Sequence, residues 1–169
     1  MPFRDRFFII LGYYAVTVAV VFLAYIVGSL FMGLFILKGT PNTFTTFLVS
    51  TLSYLTVIAL ISFIMFSRLA DKNPDIKYGE VLIFIVIIMV IHLIIVFFGR
   101  FDAVSSYTST LGLLVNYLYN GDQYIMSIRD IPRYYFYLVR LLKDVVFLVS
   151  ASIGFLQMRM ISKNTGKAA

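Results

Sequence analysis

The chain has 169 residues, of which 61% are hydrophobic and 13% charged, and it carries a net charge of +6. An ordinary soluble domain carries roughly twice that charged fraction, so the composition excludes one. With no cysteine and one histidine, disulfides and thiolate chemistry are excluded, and a His-based metal site within one chain has too few ligands.

The apolar residues lie in uncharged blocks of about 20 residues or more, the length that crosses a bilayer. In lipid the backbone must satisfy its own hydrogen bonds, so each block is expected to be a helix. The alternation of a membrane β-barrel is absent. The expected fold is therefore an all-α integral membrane helical bundle, a single multi-pass domain over residues 1–169. It has four transmembrane helices, with five as the alternative.

The first span is expected over residues 7–37. Arg4-Asp5-Arg6 precedes it, which resembles a signal peptide, but the apolar run is too long and lacks a cleavage region. It reads as an uncleaved anchor. At about 1.5 Å per residue it exceeds the ~30 Å hydrocarbon core, so it must tilt, kink or project. Ser29 and Gly33 form a small-xxx-small pair that admits a neighbouring helix.

Lys38 to Asn42 reads as a tight turn before a second span over residues 43–66. Thr43, Thr46, Ser50 and Ser53 recur at spacings of three and four, so they share one face. Such a stripe serves as interhelical glue or, in the sharper reading, lines a solute path. A polar loop is expected from Arg68 to Glu80. Its Asp71, Asn73 and Asp75 imitate a calcium loop, but Ile76 and Leu82 stand where glycine and glutamate are needed.

The third span, residues 81–99, is apolar on all sides except for His92. Residues 100–131 are expected to form an extracytoplasmic loop, with Leu111 to Tyr119 as a short interfacial helix. The five-helix alternative makes Ala103 to Tyr119 a span. The last span, residues 134–158, starts after Asp130 and Pro132, which suit a helix start. Tyr134, Tyr135 and Tyr137 form an aromatic belt, and with Arg129 and Arg133 they are candidate contacts for lipid headgroups or a partner.

Arg140, Lys143 and Asp144 fall inside that last span, where charge is costly. Counting about 1.5 Å per residue up each helix brings Thr17, Ser53 and Thr56 to the depth of His92, with Asp144 about 5 Å above it and Arg140 one turn above Asp144, and these six form a candidate polar layer. It either fixes which helix packs on which or forms a proton or ion site.

With the N-terminus cytoplasmic, the four-helix threading keeps most cations inside and makes the C-terminus cytoplasmic too. Counting charges does not choose between four spans and five, whereas hydropathy favours four. The positive charge reads as cytoplasmic-loop cations rather than a nucleic-acid surface. The absence of a glycosylation acceptor or organelle signal points to a bacterial-type cell membrane.

The function expected is a non-enzymatic accessory, scaffold or assembly subunit. It would act through helix–helix contacts with a membrane-protein partner or with further copies of itself, and no cofactor is implied. The alternatives are a small transporter or channel component built on the layer around His92 and Asp144, and an intramembrane enzyme acting on a lipid.

Overall fold

The computed structural model describes residues 1–35, 43–98 and 133–165, with side chains described over 1–24, 26–27, 51–91, 138 and 141–164. The described residues form four helices and no strand: α1 (Phe3–Phe35), α2 (Thr43–Lys72), α3 (Tyr78–Phe98) and α4 (Arg133–Thr165). Three of them hold segments long and apolar enough to cross a membrane, namely Phe3–Ala24, Thr51–Lys72 and Leu141–Asn164. Among the described side chains α3 adds the apolar stretch Tyr78–Ile91. The expected interfacial helix at 111–119 and Arg129 lie outside the described residues.

The helices run past the apolar blocks, and the reasons are local. Helix α2 continues through Lys72 because Ser67 to Lys72 contains no helix breaker and its Leu69 and Ala70 are buried. Pro74 disfavours helix at the residue before it. The polar loop expected over Arg68–Glu80 thus shrinks to the turn 73–77. Helix α3 starts earlier than expected, at Tyr78, because Glu80 reaches back and accepts the Lys77 backbone N–H at 3.0 Å. That bond satisfies one of the donors a helix start leaves unpaired. Helix α4 extends to Thr165, beyond the expected end at 158.

Two polar contacts fix the relative direction of the helices. Arg6, near the start of α1, pairs with Glu80, near the start of α3, at 3.0 Å. Arg159, near the end of α4, donates to the carbonyls of Asn73 and Ile76 in the α2–α3 turn, each at 2.7 Å. The beginnings of α1 and α3 and the ends of α2 and α4 therefore gather at one end of the molecule, hereafter the turn end.

Helix α4 lies along α2 and also touches α3, while α1 packs on α2 and, more loosely, on α3. The α2–α4 seam is close because Gly154 carries no side chain. A Cβ there would strike the Phe63 carbonyl and come within 2.9 Å of Ser67 Oγ. Ser67 donates across the seam to the Gly154 carbonyl at 3.0 Å. Small residues and interhelical hydrogen bonds are what hold helices together in lipid, where burial gives little drive.

Around this seam the core fills with Phe66, Leu69, Ile76, Val81, Phe84, Ala151 and Phe155. Tyr14 packs edge-on against Phe84 and Phe147, with ring centres 5.8 and 5.5 Å apart. Phe66 meets Phe147 the same way at 5.7 Å. The outer faces carry exposed Phe8, Leu23, Leu52, Leu60, Ile83 and Met160, a surface suited to lipid.

Candidate functional site

Above the aromatic core, all four helices line one cavity of about 70 Å³. Helix α1 contributes Tyr14, Thr17, Val18 and Val21; α2 contributes Tyr54 and Ile58; α3 contributes Ile85, Ile88 and Met89; α4 contributes Lys143, Asp144 and Phe147. Its walls are mainly hydrocarbon, with two tyrosines, one threonine and one pair of opposite charges. Asp144 stands fifteen residues before Arg159, or about 22 Å along α4 from the turn end.

Of the expected polar layer, the cavity brings together Thr17 and Asp144. Thr17 is fully buried, and its Oγ1 donates to the Tyr13 carbonyl at 2.6 Å. The donor is thus satisfied within its own helix, while the oxygen lone pairs remain able to accept. Asp144 and Lys143 are half-buried, and neither is without a polar or electrostatic partner.

Ser53 and Thr56 do not join them. Both are exposed, and Thr56 Oγ1 turns back to the Leu52 carbonyl at 2.8 Å. The reason is helical phase. Thr51, Leu55, Ile58, Ser62, Phe66 and Leu69 are the buried stripe of α2. At about 100° per residue, Ser53 points nearly opposite to it and Thr56 well off it. The stripe expected from Thr43 to Ser53 therefore turns its one described side chain away from the cavity.

His92 lies on α3 one turn beyond Ile88, and Arg140 lies on α4 one turn before Asp144. Their side chains fall outside the described set, as do those of Arg133, Tyr134, Tyr135 and Tyr137 in the first turns of α4.

Several structural residues escaped the sequence reading. Arg159 looked like one more tail cation, yet it caps two turn carbonyls and stacks over the Phe155 ring at 5.2 Å. Gly154 was hidden in an apolar run, although Ser150-Ala151-Ser152-Ile153-Gly154 is a small-xxx-small pattern that marks close helix approach. Tyr14 and Tyr54 had no signal beyond their depth. Among the described residues, no group of three or more His, Cys, Asp or Glu gathers as metal ligands do. No protein family, curated protein or solved structure matches this chain.

Proposed function

We propose that this protein is a multi-pass subunit of the cell membrane that organises other membrane proteins through helix–helix contacts and performs no chemistry of its own. One observation carries the reading. Three charged side chains at the turn end are spent on the protein's own helices, Arg6 with Glu80 and Arg159 on the Asn73 and Ile76 carbonyls. Large apolar side chains on all four helices face outward. A stiff frame with membrane-compatible sides suits assembly work.

The gathering of termini at one end supports four spans over five. A fifth span between α3 and α4 would put Arg159 on the opposite side of the membrane from the α2–α3 turn that it caps. The turn end also holds Arg4, Arg6, Arg68, Lys72, Lys77, Arg159 and Lys163, which favours the cytoplasmic side for it and for both chain ends.

The test pairs assembly with topology. The tagged chain, expressed at its native level, is solubilised gently and run on a native gel. Migration in a complex larger than the lone chain is expected, and it should collapse when an outward residue such as Leu60 or Ile83 becomes tryptophan. Migration as a lone chain from crosslinked membranes refutes the reading. For topology, Ser127→Cys should react with an impermeant thiol reagent in intact cells, and Ser162→Cys should not.

A second reading, a transporter or channel component, is favoured by the opposite charges in the four-helix cavity. It requires that the purified chain, alone or with its partner, move a solute across vesicle membranes and that Asp144→Asn stop it.

A further inference from the structure

We propose that the cavity between the four helices binds a neutral membrane-dissolved amphiphile with a hydroxyl head, of the long-chain alcohol class. This does not rest on the scaffold reading, since a scaffold and a transporter could each hold such a molecule.

The argument begins with what the cavity contains. Pockets for small molecules are mostly apolar, with a few convergent polar groups, and helical bundles form them between helices. Here the apolar wall includes Val18, Val21, Ile88 and Met89, and the polar groups are concentrated at Lys143 and Asp144. Ionisable residues this deep in an apolar layer are costly, so they are kept where they serve a purpose.

The charges select the head. Lys143 and Asp144 are the ionisable pair among the lining residues, apart from the tyrosines, and their formal charges cancel. A carboxylate or ammonium head would add an unbalanced charge in a medium that screens poorly, at several kcal/mol. A hydroxyl avoids this because it donates and accepts at once. It can donate to the Asp144 carboxylate while accepting from the Lys143 ammonium. Thr17 adds a second acceptor, because its own proton is already given to Tyr13.

The size selects how much of the molecule is held. A water-sized sphere occupies about 10–15 Å³ on this measure, so about 70 Å³ takes the head and the first few carbons. The rest of the chain must leave between helices. The α1–α3 seam is the loosest of the four packed pairs and offers that exit into surrounding lipid.

The test uses the full chain in nanodiscs of zwitterionic lipid. The probe is hexadecanol carrying a diazirine near the head and an alkyne at the tail. After photolysis, adducts are expected on Ile88, Met89 and Phe147. Unlabelled hexadecanol should suppress them more than hexadecanoate or hexadecylamine does. Val18→Phe, or Val21→Leu where the larger change disturbs folding, should fill the cavity and lower those adducts by about fivefold, equivalent to about 1 kcal/mol. Labelling of lipid-facing Ile83 and Val149 should stay constant and serve as the internal reference. Uniform labelling that neither variant changes overturns the site. Stronger competition by the acid or the amine overturns the assignment of the head.

Discussion

The turn end and the cavity layer both place charge beside a mostly apolar interior, and they use it in opposite ways. At the turn end Arg159, Arg6 and Glu80 each have a fixed geometric task. Arg159 bridges the Asn73 and Ile76 carbonyls of the turn, and Glu80 serves Arg6 with one oxygen and the Lys77 N–H with the other. In the cavity layer, Lys143 and Asp144 border empty volume. Charge at the first site closes a turn, whereas charge at the second, though it has partners of its own, also borders open volume. The difference predicts that damage at the turn end costs stability, and that damage at the cavity costs little of it.

The largest effect should come from Gly154→Leu. Its side chain must displace the Phe63 backbone, which cannot yield as a flexible side chain would. Overpacking of this kind costs about 1–3 kcal/mol when the surroundings can shift, and more is expected against backbone. An SDS titration of the purified protein should show most of the chain unfolded where the parent is folded. Arg159→Met comes next. It keeps some packing on Phe155 but takes the Arg159 donor from the Ile76 carbonyl, and leaves the Asn73 carbonyl with the Ile76 N–H alone, for a loss of about 1–2 kcal/mol. Arg159→Lys should recover only part of that, because an ammonium lacks the planar guanidinium that lies over the Phe155 ring. Parent-like stability of Arg159→Met would show that the clamp follows from the fold rather than supporting it.

Glu80→Gln should cost about 1 kcal/mol or less, since it removes the half-buried ion pair with Arg6 but keeps an oxygen for the Lys77 N–H. Hydrogen exchange at the first turn of α3 is the sensitive readout. Faster exchange confined to that turn is expected. The smallest change should come from Thr17→Val, near 0.5 kcal/mol, because the lost hydroxyl served only its own helix. If Thr17→Val proved as damaging as Arg159→Met, the contrast between the two regions would fail.

Much of the fold was legible in the sequence, because crossing lipid demands length and apolarity, and both can be counted. The helices expected over 7–37, 43–66 and 81–99 correspond to α1, α2 and α3, with α1 and α3 starting a few residues earlier and α2 running six residues further. What could not be read was rotation about each axis. Helices α1 and α3 are apolar all round, so their sequences do not say which side faces in. On α2 the hydroxyls misled, because Ser53 and Thr56 can bond their own backbone and tolerate an outward position. The true inward stripe, Thr51-Leu55-Ile58-Ser62, is set by fit against neighbours. Position along each helix was legible, and of the six residues expected in the polar layer Thr17 and Asp144 line the cavity. The tyrosines and Met89 depended on rotation and were not anticipated.

The clamp at the turn also bears on the order in which the protein is made. Arg159 lies 86 and 83 residues after the two carbonyls it caps. While a ribosome delivers the chain, the α2–α3 hairpin exists well before its cap does. The Asn73 carbonyl already accepts the Ile76 N–H within the turn, but the Ile76 carbonyl must be served by water or by another donor until α4 arrives. Arrival of the last helix supplies the missing donor, so the turn reaches its final hydrogen bonding only once Arg159 has been made.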